Sequence, residues 1–325
     1  MKPLPKLLDT RFKTILGTDY TSVMQAFASK KIASFRVNTL KSNTESVLKT
    51  LADHAIPVEA LVQIPGVFIL DRAHEYALKG TPLFREGNIY MQSLSSLLPA
   101  LILDPKSGEK ILDVCSAPGS KTTQIAAMTN DEAEIVALEQ NQIRYDKLVH
   151  NIGLQNAKSI TTHKTEARKF LNDSEEEFDA ILLDVPCSAE GRISLEDEKT
   201  FGFFSIDNIQ KKAELQKDLL ATAFLRLKRG GRMVYSTCTL APEENEGVLQ
   251  ALITAFPQAK IVTIHLPEFE EIRKGLSEFE STTYDPSIAN AVRILPSGRF
   301  EGFFWQELLR CNVNENTRNS RLTFS

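Results

Sequence analysis

The chain has 325 residues, 42% hydrophobic and 25% charged, with a formal charge of −4 and four cysteines. That balance reads as soluble and globular, fits one large or two modest domains, and excludes a nonspecific basic coat for nucleic acid. The most apolar stretch, SLLPALIL at 96–103, is too short to span a bilayer, and no apolar leader follows Met1-Lys2-Pro3. A cytoplasmic protein without a membrane partner is expected. The cysteines at 115, 187, 238 and 311 form no CxxC pair. Such spacing argues against a disulfide framework or a metal site and leaves single thiols to explain.

Residues 1–32 carry helical spacing, with Leu7, Leu8, Phe12, Ile15 and Leu16 apolar. SFRVNTL (34–40) alternates as a strand, Phe35 and Val37 on one face, Arg36 and Asn38 on the other. A helix around 43–54 and the strand GVFIL (66–70) complete a small α+β lobe, placed at 1–85. Residues 1–50 hold nine Lys/Arg and three Asp/Glu, so the remaining 275 carry −10. A basic lobe beside an acidic remainder suits a polyanion held in one orientation. A solvated helical surface is the plainer alternative.

Residues 90–103 read as a buried helix ending before Asp104-Pro105. Strand signals then follow at 110–114, 134–139, 158–162, 179–184, 232–237 and 259–265. Helical ones lie between them at 119–129, 142–153, 165–171, 206–228 and 243–256. A polar acidic insert near 267–285 precedes apolar runs at 291–295 and 302–309, and residues 312–325 read as a flexible tail. The alternation predicts an α/β domain over 86–311, a doubly wound, mostly parallel sheet.

Three segments carry chemistry. In ILDVCSAPGSKTTQIAA (111–127) a strand ends at Asp113, passes a small-residue turn and re-emerges as a helix. Gly119 there permits close backbone approach to a ligand, and the helix start favours a negative group. Neither GxGxxG nor GxxxxGK[ST] is present, so a dinucleotide fingerprint and a P-loop are both unmatched. Glu139, at the next strand's end, is placed to accept from ribose hydroxyls. S-adenosylmethionine, which offers a ribose, an adenine and an amino-acid tail without phosphates, suits that set. Cys187 in DVPCS (184–188) and Cys238 in VYSTCTL (234–240) each lie just beyond a strand. If those strands are neighbours, about 5 Å apart, both thiols reach the cofactor rim. Methylation at carbon 5 of a pyrimidine needs such a thiol. A thiolate adds at carbon 6, the enamine takes the methyl group, the carbon-5 proton leaves to a base, and the thiolate is expelled. Asp184 is the polar partner for the ring's N3 and amino edge, and the base must be splayed from any stack.

At these residues the chain resembles the Nop/Sun (Fmu-like) family of RNA 5-methylcytosine methyltransferases. The likeness runs through SFRVNTL, GNIYMQSLSSLLP, ILDVCSAPGSKT, LLDVPCSAEG, GGRMVYSTCTLAPEENE and RILPSGRFEGFFWQELLR. The resemblance implies a Rossmann-like methyltransferase sheet with an RNA-binding amino-terminal lobe, S-adenosylmethionine as cofactor, and ribosomal or transfer RNA as substrate. A monomer without metal is expected. Cys115, Ser116, Ala117, Pro118, Gly119, Ser120 and Lys121 would wrap the cofactor, Glu139 hold its ribose, and Arg144 line the site. Glu166, standing where the family usually has Asp, would approach the adenine. The catalytic set would be Cys238 as nucleophile, Cys187 assisting product release, Asp184 and Lys121, with Cys115 structural. Arg36 and Asn38, with Lys30 and Lys31 from the basic bias, would face RNA. Two other readings compete. A DNA cytosine methyltransferase would attack through Cys187 and leave Cys238 idle; a non-catalytic assembly factor would not need Cys187, Cys238, Asp184 and Lys121 all intact.

Overall fold

A computed structural model describes residues 2–264 and 266–311, so the expected tail at 312–325 lies outside the described residues. The amino-terminal helical run is two helices, α1 (Lys6–Leu16) and α2 (Tyr20–Ala28), because the chain bends at Gly17 with φ 51°. Their apolar faces, Leu8, Phe12, Ile15, Val23 and Phe27, are buried against the large sheet rather than within the lobe.

The lobe proper is a four-stranded antiparallel sheet of β1 (Ala33–Val37), β2 (Glu59–Ala60), β3 (Val67–Leu70) and β4 (Ile89–Met91), in the order β2-β3-β1-β4. Three helices, α3 (Thr44–Asp53), α4 (Glu75–Gly80) and α5 (Pro82–Arg85), supply part of its cover, and Phe35, Val47, Leu51, Phe68 and Leu78 form its core. The lobe thus extends past the expected boundary at 85, since residues 89–91 pair with β1 before the buried helix α6 (Leu94–Leu103) begins.

The large domain follows the strand–helix alternation. Its strands are β5 (Lys110–Asp113), β6 (Glu134–Glu139), β7 (Ile160–Lys164), β8 (Phe178–Asp184) and β9 (Leu227–Thr237), with β10 (Ala259–Ile261), β11 (Ile272–Lys274), β14 (Val292–Ile294) and β15 (Phe303–Arg310). A small hairpin, β12 (Glu278–Phe279) with β13 (Thr282–Thr283), sits in the acidic insert. The order is β11-β14-β15-β9-β8-β5-β6-β7, with β10 on β15. From β7 to β9 all pairings are parallel; β15 and the strands beyond it are antiparallel. Helices α7 (Ser120–Met128), α8 (Gln142–Gln155), α9 (Ala167–Asp173), α10 (Ile206–Leu225) and α11 (Glu246–Ala255) connect them. One face of the sheet packs on α1, α2, α10 and α11, through Leu183, Tyr235, Phe224 and Leu249. The other packs on α6 and α7, through Ala180, Val234, Leu97 and Ile125. Chain order reverses between β5 and β8, so the carboxyl ends of β5, β8 and β9 open a crevice at the switch point.

Candidate active site

The turn after β5 is fixed from within and from outside. Asp113 is buried and accepts from Thr122 Oγ1 at 2.6 Å, and burial pushes its carboxyl up to about 6. Ser116 Oγ donates to the Asp113 carbonyl at 2.7 Å. Arg144 and Asn151 donate to the carbonyls of Ala117 and Pro118, each at 2.8 Å. Gly119 takes φ 99°, and a Cβ there would lie 3.1 Å from Leu148 Cδ1, so both backbone and space call for glycine.

Glu139 ends β6, buried, with Oε1 accepting from the Asn141 N–H at 2.7 Å and Oε2 3.3 Å from Arg144 Nε. Glu166, half-exposed at the start of α9, pairs with Arg168 at 3.0 Å. Both acids line a small cavity of about 60 Å³ with Cys115, Arg144, Pro186 and Leu219. Cys115 and Arg144 also line a larger one, about 530 Å³, so the two adjoin. Burial and the carboxylates around it push the Cys115 thiol far up, which keeps it neutral and unreactive.

Around the larger cavity stand Ser116, Ala117, Pro118, Ser120, Lys121, Asp184 and Cys238, with Tyr90, Ser96, Arg192, Glu301 and Phe303. Asp184 closes β8. Its Oδ2 accepts from Lys121 Nζ at 2.7 Å and its Oδ1 from Ser236 Oγ at 2.7 Å. Lys121 also donates to Ser96 Oγ at 2.9 Å, so the carboxylate is held from two sides. Ser96, Ser236, Phe303 and Arg192 are not among the residues expected from sequence; Ser236 stands two residues before Cys238 in YSTCTL, which was the available signal, whereas nothing in QSLSSLLP marks Ser96.

The two motif thiols meet. β8 and β9 are parallel neighbours, Asp184 opposite Ser236, and Cys187 Sγ lies 3.1 Å from Cys238 Sγ. The Cys238 N–H also donates to Cys187 Sγ at 3.3 Å. Cys238 faces the cavity; Cys187 stands behind it. The hydrogen bond from its neighbour, then burial, push the Cys187 thiol well up. The loop after Cys187 is tied by Glu244, which accepts from Ser188 N at 3.0 Å and Gln216 Nε2 at 2.8 Å. The loop after Cys238 is tied by Asn245 Nδ2 to the Thr239 carbonyl and by Arg293, which is paired in the interior with Glu246, to the Leu240 carbonyl. Gly191 N donates to the Cys238 carbonyl and Gly302 N to the Gly191 carbonyl at 2.8 Å; a Cβ on Gly191 would meet Gly302 O at 2.1 Å. That close approach explains the glycines of SAEG and FEGFF.

The amino-terminal assignments divide. Arg36 and Asn38 do not face outward as expected: Arg36 is 5% exposed and Asn38 0%. Arg36 donates to Gln92 Oε1 at 3.0 Å and Thr123 Oγ1 at 2.8 Å, and its guanidinium stacks 5.0 Å from the Tyr90 ring. Asn38 Nδ2 donates to the carbonyls of Gly87 and Gln155, both at 2.9 Å. These residues clamp the lobe onto α7 and α8 rather than presenting their side chains to solvent. Arg11, Lys2 and Lys13 pair with Glu243, Glu198 and Asp9, and Lys41 donates to the Leu154 carbonyl, so much of the positive surplus is answered internally. Lys30 is exposed and Lys31 half-buried. Among the described residues no group of three His, Cys, Asp or Glu side chains could hold a metal ion, and no helix is long and apolar enough to cross a membrane.

Residues 100–309 match the family described as 16S rRNA methyltransferase RsmB/F. The ribosomal RNA small subunit methyltransferase F of Pectobacterium carotovorum subsp. carotovorum is 37% identical over 276 residues, 83% of this chain and 55% of that protein. Its namesake from Shewanella sediminis is 36% identical over 295 residues, 89% and 59% of the two chains. The chain therefore spans little more than half the length of these relatives. Among solved structures, a methyltransferase homologue from Pyrococcus horikoshii superposes with a TM-score of 0.82 at 29% identity, covering 94% of each chain, and identifies the fold as a methyltransferase fold. By the match over residues 100–309, the chain belongs to the RsmB/F family of 16S rRNA methyltransferases.

Proposed function

We propose that the protein methylates carbon 5 of a cytosine in ribosomal RNA, using S-adenosylmethionine and a covalent bond to Cys238. The observation that carries the reading is the pair of sulfurs 3.1 Å apart beside the Lys121–Asp184–Ser236 group. Ribosomal RNA is favoured over transfer RNA by the names of its relatives. The residues present fit the cofactor: two adjoining cavities, a carboxylate for ribose at Glu139, and a helix start after Gly119 for the amino-acid end. Glu166, on the wall of the smaller cavity, would serve the adenine. When bound, S-adenosylmethionine supplies an electrophilic methyl group.

Cys238 Sγ adds to carbon 6 of the cytosine as its thiol proton passes to the ring's N3, which makes carbon 5 an enamine carbon and nucleophilic. Asp184, held by Lys121 and Ser236, retains a free lone pair on each oxygen, one to accept from the cytosine amino N–H and the other from N3–H once the ring has taken up a proton there. Cys187 begins as a thiol because the Cys238 sulfur and burial hold its pKa up. Once Cys238 Sγ is bonded to carbon, the thiol–thiol hydrogen bond that is the first cause of the shift is lost, and Cys187 gives its proton to solvent more readily. Its thiolate then takes the carbon-5 proton, the carbon–sulfur bond breaks, and Cys238 leaves and recovers its proton from N3. The lobe and Lys30 and Lys31 contribute RNA contacts.

The test is to incubate Cys187→Ala and Cys238→Ala variants with a 16S rRNA transcript and the methyl donor and run denaturing gels. The Cys187 variant should trap a protein–RNA adduct and the Cys238 variant none. The opposite pattern would reverse the roles, and no adduct or methylation with any variant or the wild type would remove the covalent reading.

A further inference from the structure

A third cavity, about 190 Å³, opens beside the larger active-site cavity. Met91, Gln92, Ser93 and Glu301 line both, so only the end of β4 and one carboxylate separate them. Its wall carries Lys31, Arg72 and Arg299 against Glu75 and Glu301. The two acids already have partners. Glu75 pairs with Lys79 at 2.6 Å and Arg72 at 3.2 Å; Glu301 lies 3.4 Å from Arg192 Nε and accepts from Ser93 Oγ. The side chains of Lys31 and Arg299 make no hydrogen bond or ion pair with any described residue. Lys31 is half-buried, and that burial lowers its pKa against the opposing pull of Glu301, so an ammonium stands partly desolvated with no ion pair of its own. Such a group is stabilised by any anion that enters.

The anion's source follows from position. A nucleotide seated against Cys238 and Asp184 continues at both ends into phosphates, and this cavity, reached across Met91–Ser93, is basic and next to it. Lys31 comes from the segment before β1, Arg72 from the loop after β3, and Arg299 from the turn before β15. Three distant segments thus place cations around one space, unlike the single charged face of a solvated helix.

We propose that this cavity is a subsite for the nucleotide adjoining the target cytosine, its phosphate held by Lys31 and Arg299 with Arg72 beside them. The inference rests on the reading of RNA as substrate and adds the place and chemistry of a second contact.

The experiment compares the double variant Lys31→Ala/Arg299→Ala with Lys158→Ala/Arg229→Ala, which removes equal charge at the amino ends of β7 and β9, the opposite rim of the sheet. Methyl transfer to a naked 16S rRNA transcript is followed over a range of KCl concentrations, and S-adenosylmethionine affinity is measured by calorimetry. The first variant should raise KM for RNA about tenfold and flatten its logarithmic salt dependence by about 0.7 for each phosphate no longer neutralised. Its kcat and cofactor affinity should stay within twofold of wild type, and the control variant should change neither KM nor slope. A KM and slope equal to the control's would overturn the subsite. A wild-type chain that transfers no methyl group to RNA would instead remove the parent reading, and the subsite with it.

Discussion

Replacing Arg36 with Met separates a clamp from an RNA contact. Arg36 makes two short charge-assisted hydrogen bonds, to Gln92 at 3.0 Å and Thr123 at 2.8 Å, and a longer one to the Ser120 carbonyl at 3.4 Å. Each short bond contributes about 1.5–3 kcal/mol, so their joint loss has a ceiling near 3–6 kcal/mol. Two effects offset part of that. Burial already disfavours the charge, drawing the Arg36 pKa down to about 10, and Nη1 is buried without a partner. Met retains much of the apolar stem and lies against Tyr90. A net destabilisation of about 2 kcal/mol remains, which in a chain of this size lowers Tm by roughly 4 °C. Scanning fluorimetry reads the shift, and fluorescence anisotropy with labelled RNA across KCl concentrations reads the salt dependence. The expected result is a lower Tm with an unchanged salt slope. An unchanged Tm with a flatter slope would mean that Arg36 meets phosphate, and the clamp would be wrong.

Glu139→Ala should weaken S-adenosylmethionine binding by about 1.5–3 kcal/mol, the loss of a charge-assisted hydrogen bond. Calorimetry showing no loss would place the ribose elsewhere. Glu190, buried, has its carboxyl raised by that burial from 4.5 to about 7. The folded state therefore favours the protonated form, which stabilises fully below about pH 4.5, and the benefit fades as pH rises through 7. Glu190→Gln should match wild type near pH 4.5 and exceed it at pH 8, by up to about 3 kcal/mol. A difference that does not vary between those pH values would show that Glu190 titrates normally.

The carboxyl end of the large sheet's parallel strands was legible because its signals are local. Asp113, Glu139 and Asp184 end strands whose apolar runs stop where they stand, and each thiol follows its strand by one or three residues. What could not be read is what long-range packing decides. Alternation in SFRVN predicts one wet face, yet all five residues of β1 are buried, because one face meets the lobe's own core and the other meets α7. Gly230-Gly231 reads as a break between helix and strand. The helix instead stops at Leu225, and Gly230, at φ 77°, carries an irregularity inside β9 between its pairing with Phe178 and with Ala180. Pairing with β1 likewise draws 89–91 out of the buried helix expected from 90. Charge counting has the same limit: it registers Arg11 and Arg36 as basic surface although both are interior.

The meeting of Gly191 and Gly302 bears on the order in which the protein becomes competent. It joins the loop after Cys187 to the segment entering β15, the strand that runs along β9 from Thr237 to Arg232 and brings Phe303 to the cavity wall. During synthesis from the amino terminus, a chain extended only to residue 300 already contains both cysteines, Lys121 and Asp184. It lacks the strand that braces β9 and the backbone that holds the Cys187 loop against it. Completion of this end of the sheet therefore waits on β15, and a chain that stops before it carries Cys187 and Cys238 without the strand that braces β9.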